Sequence, residues 1–425
     1  MTNRHKIAVV GSGISGLASA WLLARQHDVT LYEANHYFGG HTNTVDITID
    51  NITAPVDTGF LVHNDLTYPN LIALFNHLGI QTHESNMTFS VAVESAGLEW
   101  AGTDLDSVFC QRRNLLRPRF WWMLKDILRF NRHAQTYLNS IPDEHYTLGA
   151  LLDQHGYGNT MREWYLLPMA AAIWSCSTQS IEAFPAATFL RFCLNHRLLQ
   201  INDRPPWKTV LHGAREYVNK MLAGIPDARL NCAVTAIKRT PEQVEVHTAQ
   251  GIEHFDHVVL ACHAPTSLNI LDCDSEERKI LRAFHTQPNL AVLHMDASLL
   301  PVNQKAWAAW NYTMPVRHRP QYPVTVSYLL NRLQPLPWHQ PVLVTLNPHV
   351  DIQEDKVLAQ FEYAHPIMDA AAIAAQRALN DIQGRNRAWF CGAWSGYGFH
   401  EDGLKSALRV ALALGVEPPW QAVYD

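Results

Sequence analysis

The sequence predicts an α/β protein built on a buried parallel sheet, and three observations predict it. A strand, glycine turn, helix and strand open the chain at 5–34, "HKIAVVGSGISGLASAWLLARQHDVTLYEA". A long middle stretch, 64–200, carries mostly helical periodicity. Strand-like runs then return at 230–248 and 257–265, and recur through 276–384. The 425 residues exceed one small core and imply roughly two to three domains.

Composition narrows the class. Hydrophobic content of 47% and charged content of 17% are those of a globular protein and exclude disorder. A net charge of −6 offers nucleic acid no basic footprint, so no nucleic-acid partner is expected. "KIAVVGSG" begins at residue 6, and the longest apolar run, "LLPMAAAIW" (166–174), is far short of a membrane span. A cytoplasmic location is therefore the expectation. The 7 cysteines are scattered and hold no C-x-x-C, which argues against a disulfide framework or zinc ribbon. No metal site is expected from the 23 histidines, which form no H-E-x-x-H.

The first unit carries chemistry. Ile7–Val10 is a continuous apolar run suited to a buried parallel strand. Gly11, Gly13 and Gly16 follow in G-x-G-x-x-G spacing, with Ser15 among them. In that pattern the first glycine permits the turn, the second lets a pyrophosphate approach the backbone, and the third lets helix and strand pack closely. The helix N-terminus then offers free N–H groups to the phosphates. The second strand, 29–33, ends in Glu33, where an acid would hold a ribose hydroxyl. Strand, fingerprint, helix and acid together predict a Rossmann-like domain that binds a dinucleotide.

"EANHYFGGHTNTV" (33–45) adds Gly39 and Gly40 directly after the acid. The chain here resembles the flavin-containing amine oxidoreductase superfamily, which includes monoamine oxidases, protoporphyrinogen oxidases and phytoene desaturases. That family carries Gly-Gly-Arg, then Thr or Ser, near the diphosphate. This sequence has Gly39-Gly40-His41-Thr42, with His41 in place of the arginine. The resemblance implies FAD as the cofactor, in a glutathione-reductase-like domain, with these residues beside it. "VDTGFLVH" (56–63) resembles the family's next segment.

In the middle of the chain, "YPNLIALFNHLGI" (68–80) places apolar residues on one helix face, and "TLGALLDQHGYG" (147–158) reads as a helix with a Thr cap and a glycine stop. "RRNLLRPRFWWMLKDILRFNR" (112–132) sets Arg112, Arg113, Arg117, Arg119, Lys125, Arg129 and Arg132 against Asp126 alone. Its apolar residues recur at helical spacing beside Trp121 and Trp122. Two readings stand: a helix lying on a membrane surface, or a domain helix with a solvated basic face. Residues 164–199 read as a wall of a substrate domain. Cys176 lies in no motif for a covalent flavin link.

"RPPWKTVLHGAREYVNKML" (204–222) leads through a proline turn into a helix, and strands follow. By the resemblance, the chain returns here to the flavin domain, with the backbone of Val234 at the adenine and 258–261 beside the nucleotide. Strands at 288–295, 322–330 and 341–347 suit the antiparallel sheet that floors the family's substrate cavity. The implied division assigns 1–63, 204–275 and 385–425 to an FAD-binding domain. An inserted α+β substrate domain takes 64–203 and 276–384.

The stretch "CGAWSGYGFHEDGLKSALRVA" (391–411) packs glycines, aromatics and a histidine together. A strand at 388–391 ends at Gly392, and a helix begins near Glu401-Asp402-Gly403. In the family this helix points its N-terminus at the flavin ring, where charge accumulates on reduction. The resemblance thus implies Gly392, Asp402 and Gly403 at the cofactor, with Trp394, Tyr397 and Phe399 as flat surfaces around ring and substrate. Two departures stand out: Ala393 replaces the usual acid, and His400 replaces an aromatic cage residue of monoamine oxidases. His400 is either a proton acceptor or hydrogen-bond donor beside the ring, or a packed neutral imidazole.

"IWSCS…FPAATFLRF", "RPPW" and "GYGFHEDGL" resemble a subgroup of predicted NAD/FAD-binding proteins related to the N-terminal flavoprotein domain of plant cyclopropane fatty acid synthases. The expectation that follows is an FAD-dependent oxidoreductase acting on an apolar substrate, a lipid acyl chain. An amine oxidase, and a non-catalytic flavin-binding partner of a lipid methyltransferase, are the competing readings. Peripheral contact with the inner membrane surface through 112–132 would accompany the first.

Overall fold

A computed structural model describes residues 4–200, 205–316 and 320–424. The expected division at 203/204 and Arg204 of "RPPW" lie outside them.

Five parallel strands form the central sheet, in the order Asp227–Arg229, Asp28–Tyr32, Lys6–Val10, His257–Leu260, Ala388–Phe390. They come from stretches far apart in sequence. Four of them are mostly buried, which explains why their runs are largely apolar rather than alternating, whereas the edge strand Asp227–Arg229 is only half-buried and polar. Helix Ile14–Leu23 is buried at every residue. It lies beside helix His400–Ala413 in one core with Leu404, Ala407 and Leu408. A Cβ on Gly403 would come within 2.8 Å of Ile14 Cγ2 and Ser15 Oγ, so this glycine sets how closely the two helices approach. An antiparallel meander, Val234–Arg239, Val244–Thr248 and Gly251–Phe255, covers the sheet near Tyr32.

A second sheet has seven strands, in the order Val357–Ile367, His285–His294, Leu343–Leu346, Thr325–Leu329, Trp310–Met314, Phe89–Val93, Leu98–Ala101. The strands expected in 276–384 are present. The sheet is not wholly antiparallel, because Phe89–Val93 pairs parallel with Trp310–Met314. The middle of the chain is accordingly less helical than its periodicity predicts. "FSVAV" is too short an apolar run to carry a period that separates strand from helix. Helices of 118–195 pack on this sheet in a core that includes Phe120, Met123, Phe189 and Phe192.

The basic segment is broken in two: a short 3-10 turn at Arg112–Leu116 and a helix at Pro118–Ser140. Pro118 starts the helix, since its fixed φ suits the first turn and its missing N–H costs nothing there. Phe120 and Met123 face the core, whereas Leu116, Trp121 and Trp122 face outward.

Candidate active site

One cavity of about 620 Å³ runs from the glycine turn to an aromatic chamber. At the first end, Gly11 takes φ +99° and Gly39 φ +120°, conformations that L side chains rarely adopt. Gly16 has no room for a Cβ, which would fall 1.7 Å from Gly11 O. A Cβ on Gly13 would meet nothing within 4 Å, so its absence keeps open space rather than a packing contact. Gly13 is the N-cap of helix Ile14–Leu23 and supplies no side-chain cap. The helix N–H groups are therefore left for an anion. Gly40 lies against Gly13, with 3.1 Å between its would-be Cβ and Gly13 Cα. Open backbone, an uncapped helix end and two glycine turns fit a dinucleotide diphosphate.

Glu33 lines the same end. Its carboxylate accepts from Ser12 N at 2.9 Å, Ser12 Oγ at 2.6 Å and Asn35 N at 2.9 Å. It thereby ties the glycine turn to the end of the second strand.

Of the other sequence-predicted residues, Ser15, Gly39, Gly40, His41, Gly392, Trp394, Tyr397 and His400 also line the cavity. Gly16, Thr42, Val234, Asp402 and Gly403 are not among its lining residues. Gly16 and Gly403 shape the packing behind the wall. Val234 packs against the core of the meander. Asp402 turns back to accept from Phe399 N at 2.9 Å, and burial raises its carboxyl to about 6. The helix it belongs to starts one residue early, at His400. Trp394 gives its indole N–H to Cys262 O at 3.1 Å, so only its ring is offered to the cavity. Cys176 is a free thiol that burial raises to about 12 and does not line the cavity.

The chamber end is walled by Phe60, Ile173, Trp174, Phe192, Trp207, Trp310 and Phe399 among others. Glu33, at the glycine-turn end, and Glu362 are the charged residues among the described lining of the whole cavity. Five imidazoles stand at the chamber end or where it meets the glycine turn: His41, His196, His263, His365 and His400. Burial lowers His196 and His365 to about 4, and lowers His263 as well. His41 lies well below its ordinary value through burial and the neighbouring His365, His263 and His400. All are neutral at pH 7. The permanent cation that the family's arginine would bring is thus absent from His41.

His263, Tyr363 and His365 are among the lining residues to which the sequence motifs assign no role. "YAHPI" holds a signal for two of them, because alternate residues of a strand share a face. Tyr363 and His365 both meet His41, with ring centroids 5.0 and 5.3 Å away.

The sequence profile of the family "Flavin containing amine oxidoreductase" matches residues 14–295. The chain belongs to this family. Membership brings FAD as cofactor and makes the chemistry flavin-dependent oxidoreduction. Solved structures share the fold over nearly the whole chain. The CLA-producing fatty acid isomerase from P. acnes has a TM-score of 0.69 at 16% identity, over 97% of this chain and 99% of its own. Cyclohexylamine oxidase from Brevibacterium oxydans IH-35A has 0.67 at 16%, over 97% and 100%. Putrescine oxidase bound to putrescine has 0.67 at 15%, over 97% and 99%. A tryptophan 2-monooxygenase of Allorhizobium ampelinum is 51% identical over 45 residues, which span 10% of this chain and 6% of that protein.

Proposed function

We propose that this flavoprotein removes hydrogen from, or adds it to, an apolar substrate, a lipid acyl chain. The observation that carries this reading is the chamber wall, in which aromatic and aliphatic side chains and neutral imidazoles surround the space. Along the aromatic wall an amine that is cationic at neutral pH would shed its hydration with little to replace it, Glu362 being exposed to solvent, whereas an acyl chain gains by the transfer. FAD, when bound, supplies the hydride acceptor or donor. The chain's own part is to orient the substrate and exclude water.

Access from a bilayer accords with this reading. Leu116 is 87% exposed and Trp122 61%, with Leu115 and Trp121 also exposed, in a segment rich in arginine. Exposed tryptophans beside basic residues suit a membrane interface. No helix of the described residues is long and apolar enough to cross a membrane. Amine oxidation is the second reading, and the family match favours it.

The test is anaerobic titration of the purified holoprotein with phospholipid extracts and with amines. Bleaching of the oxidised flavin band by lipid supports the proposal. Bleaching by amines alone overturns it in favour of the second reading. No bleaching by either, with FAD still bound, leaves a flavin that must first be reduced from outside or a non-catalytic partner of a lipid-modifying enzyme. Reoxidation of the pre-reduced flavin by lipid under the same anaerobic conditions separates the two.

A further inference from the structure

We infer that His365 is held as a neutral imidazole in its Nε2–H tautomer and presents that N–H to bound FAD as a fixed hydrogen-bond donor. This rests on flavin binding and not on the identity of the substrate.

A backbone amide sets the tautomer. Leu290 N, which can only donate, bonds to Asn347 Oδ1 at 3.1 Å. Asn347 Nδ2 is thereby turned toward Asn289 Oδ1, at 2.7 Å. Asn289 Nδ2 then faces two acceptors, the carbonyl of Gln287 at 3.1 Å and His365 Nδ1 at 3.0 Å. A backbone donor at one end and a backbone carbonyl at the other require the same orientation of both amides. His365 Nδ1 must accept, so its proton is on Nε2.

The relay also keeps the ring neutral. Asn289 is buried, and a second proton on His365 would set N–H against N–H out of water. The titratable groups around the ring act in the same direction or are silent. A proton on His263 or on His41 would disfavour one on His365, and neither neighbour is an anion that would favour it. Tyr363 on the same strand is held neutral by burial. Glu362, also on that strand, is exposed to solvent.

The donor's position ties it to the cofactor. His365 lines the cavity and lies beside His41, which follows the Gly40 that backs Gly13. It therefore stands where the glycine-lined end opens into the chamber. FAD carries acceptors of two kinds for such a donor, phosphate oxygens and the carbonyl and nitrogen edge of its ring.

Holoprotein labelled with ¹⁵N-histidine tests the tautomer. The expected spectrum has an acceptor-type Nδ1 and a proton-bearing Nε2 for His365, unchanged between about pH 6 and 8. A proton on Nδ1, or a ring that titrates in that range, overturns the inference. His365→Phe removes the donor and keeps a flat ring, and FAD release is expected to quicken about tenfold. Displaced ³¹P resonances of the bound cofactor would identify a phosphate acceptor, and a changed flavin midpoint potential would identify the ring. Unchanged release, resonances and potential would overturn the assignment. Asn289→Asp keeps the shape and offers Nδ1 a carboxylate. The pKa of His365 is then expected to rise into the observable range, and a spectrum identical to wild type would refute the relay.

Discussion

His400 lies flat against Phe60, with ring centroids 3.7 Å apart and planes inclined by 17°. Its Nε2 is 2.9 Å from Thr42 Oγ1 and 3.1 Å from Tyr217 OH. Burial, with a smaller contribution from His63, lowers the ring to about 3. A general base works best with a pKa near the operating pH, so this geometry favours the packed, neutral imidazole over the proton acceptor. His400→Gln is expected to slow flavin reduction by less than about tenfold and to leave its pH profile unmoved. Stopped-flow reduction by whichever substrate bleaches the flavin, measured across neutral pH, checks this. Loss of an ionisation limb in the variant would restore His400 as the base.

Two glycines of one fingerprint should fail in different ways. At Gly13 a Cβ meets open space and the φ of −63° suits any residue. Gly13→Ala is therefore expected to fold with unchanged thermal stability and to bind FAD at least about tenfold more weakly, because the methyl occupies the approach to the helix N-terminus. At Gly16 the Cβ strikes Gly11 O, and Gly16→Ala is expected to unfold the N-terminal unit. Thermal melts of the apoproteins with FAD fluorescence titrations separate the two outcomes. Equal losses of stability would refute the division of labour.

These glycines also mark how far the sequence was legible. Gly11, Gly13, Gly16 and Glu33 form a local motif, in which spacing along the chain dictates geometry, and the structure sets them together as the spacing requires. The strand Phe89–Val93 was hidden because it and its neighbour Leu98–Ala101 are short, and its other partner, Trp310–Met314, lies more than two hundred residues away. His263, His365 and Tyr217 were hidden for the same reason. Each gains its meaning from a neighbour on another segment: His263 from His41, His365 from Asn289, and Tyr217 from Thr42 at 2.5 Å. Asp402 shows the converse. A residue at a motif position is spent on capping its own loop.

The exposed face around Pro118 gives a binding prediction. Leu116 and Trp122 extend into solvent, and the neighbouring arginines supply attraction to anionic headgroups. Leu116→Ser with Trp122→Ser is expected to weaken binding to phosphatidylglycerol vesicles by about tenfold or more, from the apolar area no longer buried. Added salt should weaken wild-type binding as well. Flotation assays read both effects. Wild-type protein that ignores anionic vesicles at low salt would eliminate the membrane role of this surface.

His63 offers the last prediction, and it couples stability to pH. Both its ring nitrogens are buried without a hydrogen-bond partner, among Phe60, Tyr68 and Phe75. Burial lowers its pKa to about 4. His196, His294 and His365 sit at about 4, His400 at about 3, and His41 well below its ordinary value. Below about pH 6.5 the unfolded chain takes up these protons and the folded protein does not. The stability they give is complete above that pH and is lost as pH falls toward 4, by about 1.4 kcal/mol per pH unit for each group. Asp57 and Asp402, raised to about 6 by burial, act with the opposite sign. They stay protonated in the folded state and add stability as pH falls from 6 toward 4, which offsets part of the loss. The six histidines outnumber the two aspartates, so denaturation at saturating FAD should show stability falling as the pH is lowered from about 7 to 5, with a slope set by the net number of extra protons the unfolded chain binds. His63→Leu removes an unsatisfied polar ring and one titrating group together. It is expected to raise stability at pH 7 by about 1–3 kcal/mol and to flatten the acid limb by about one proton. A destabilised variant with an unchanged slope would mean that the His63 nitrogens have partners and that the ring is a working part of the site.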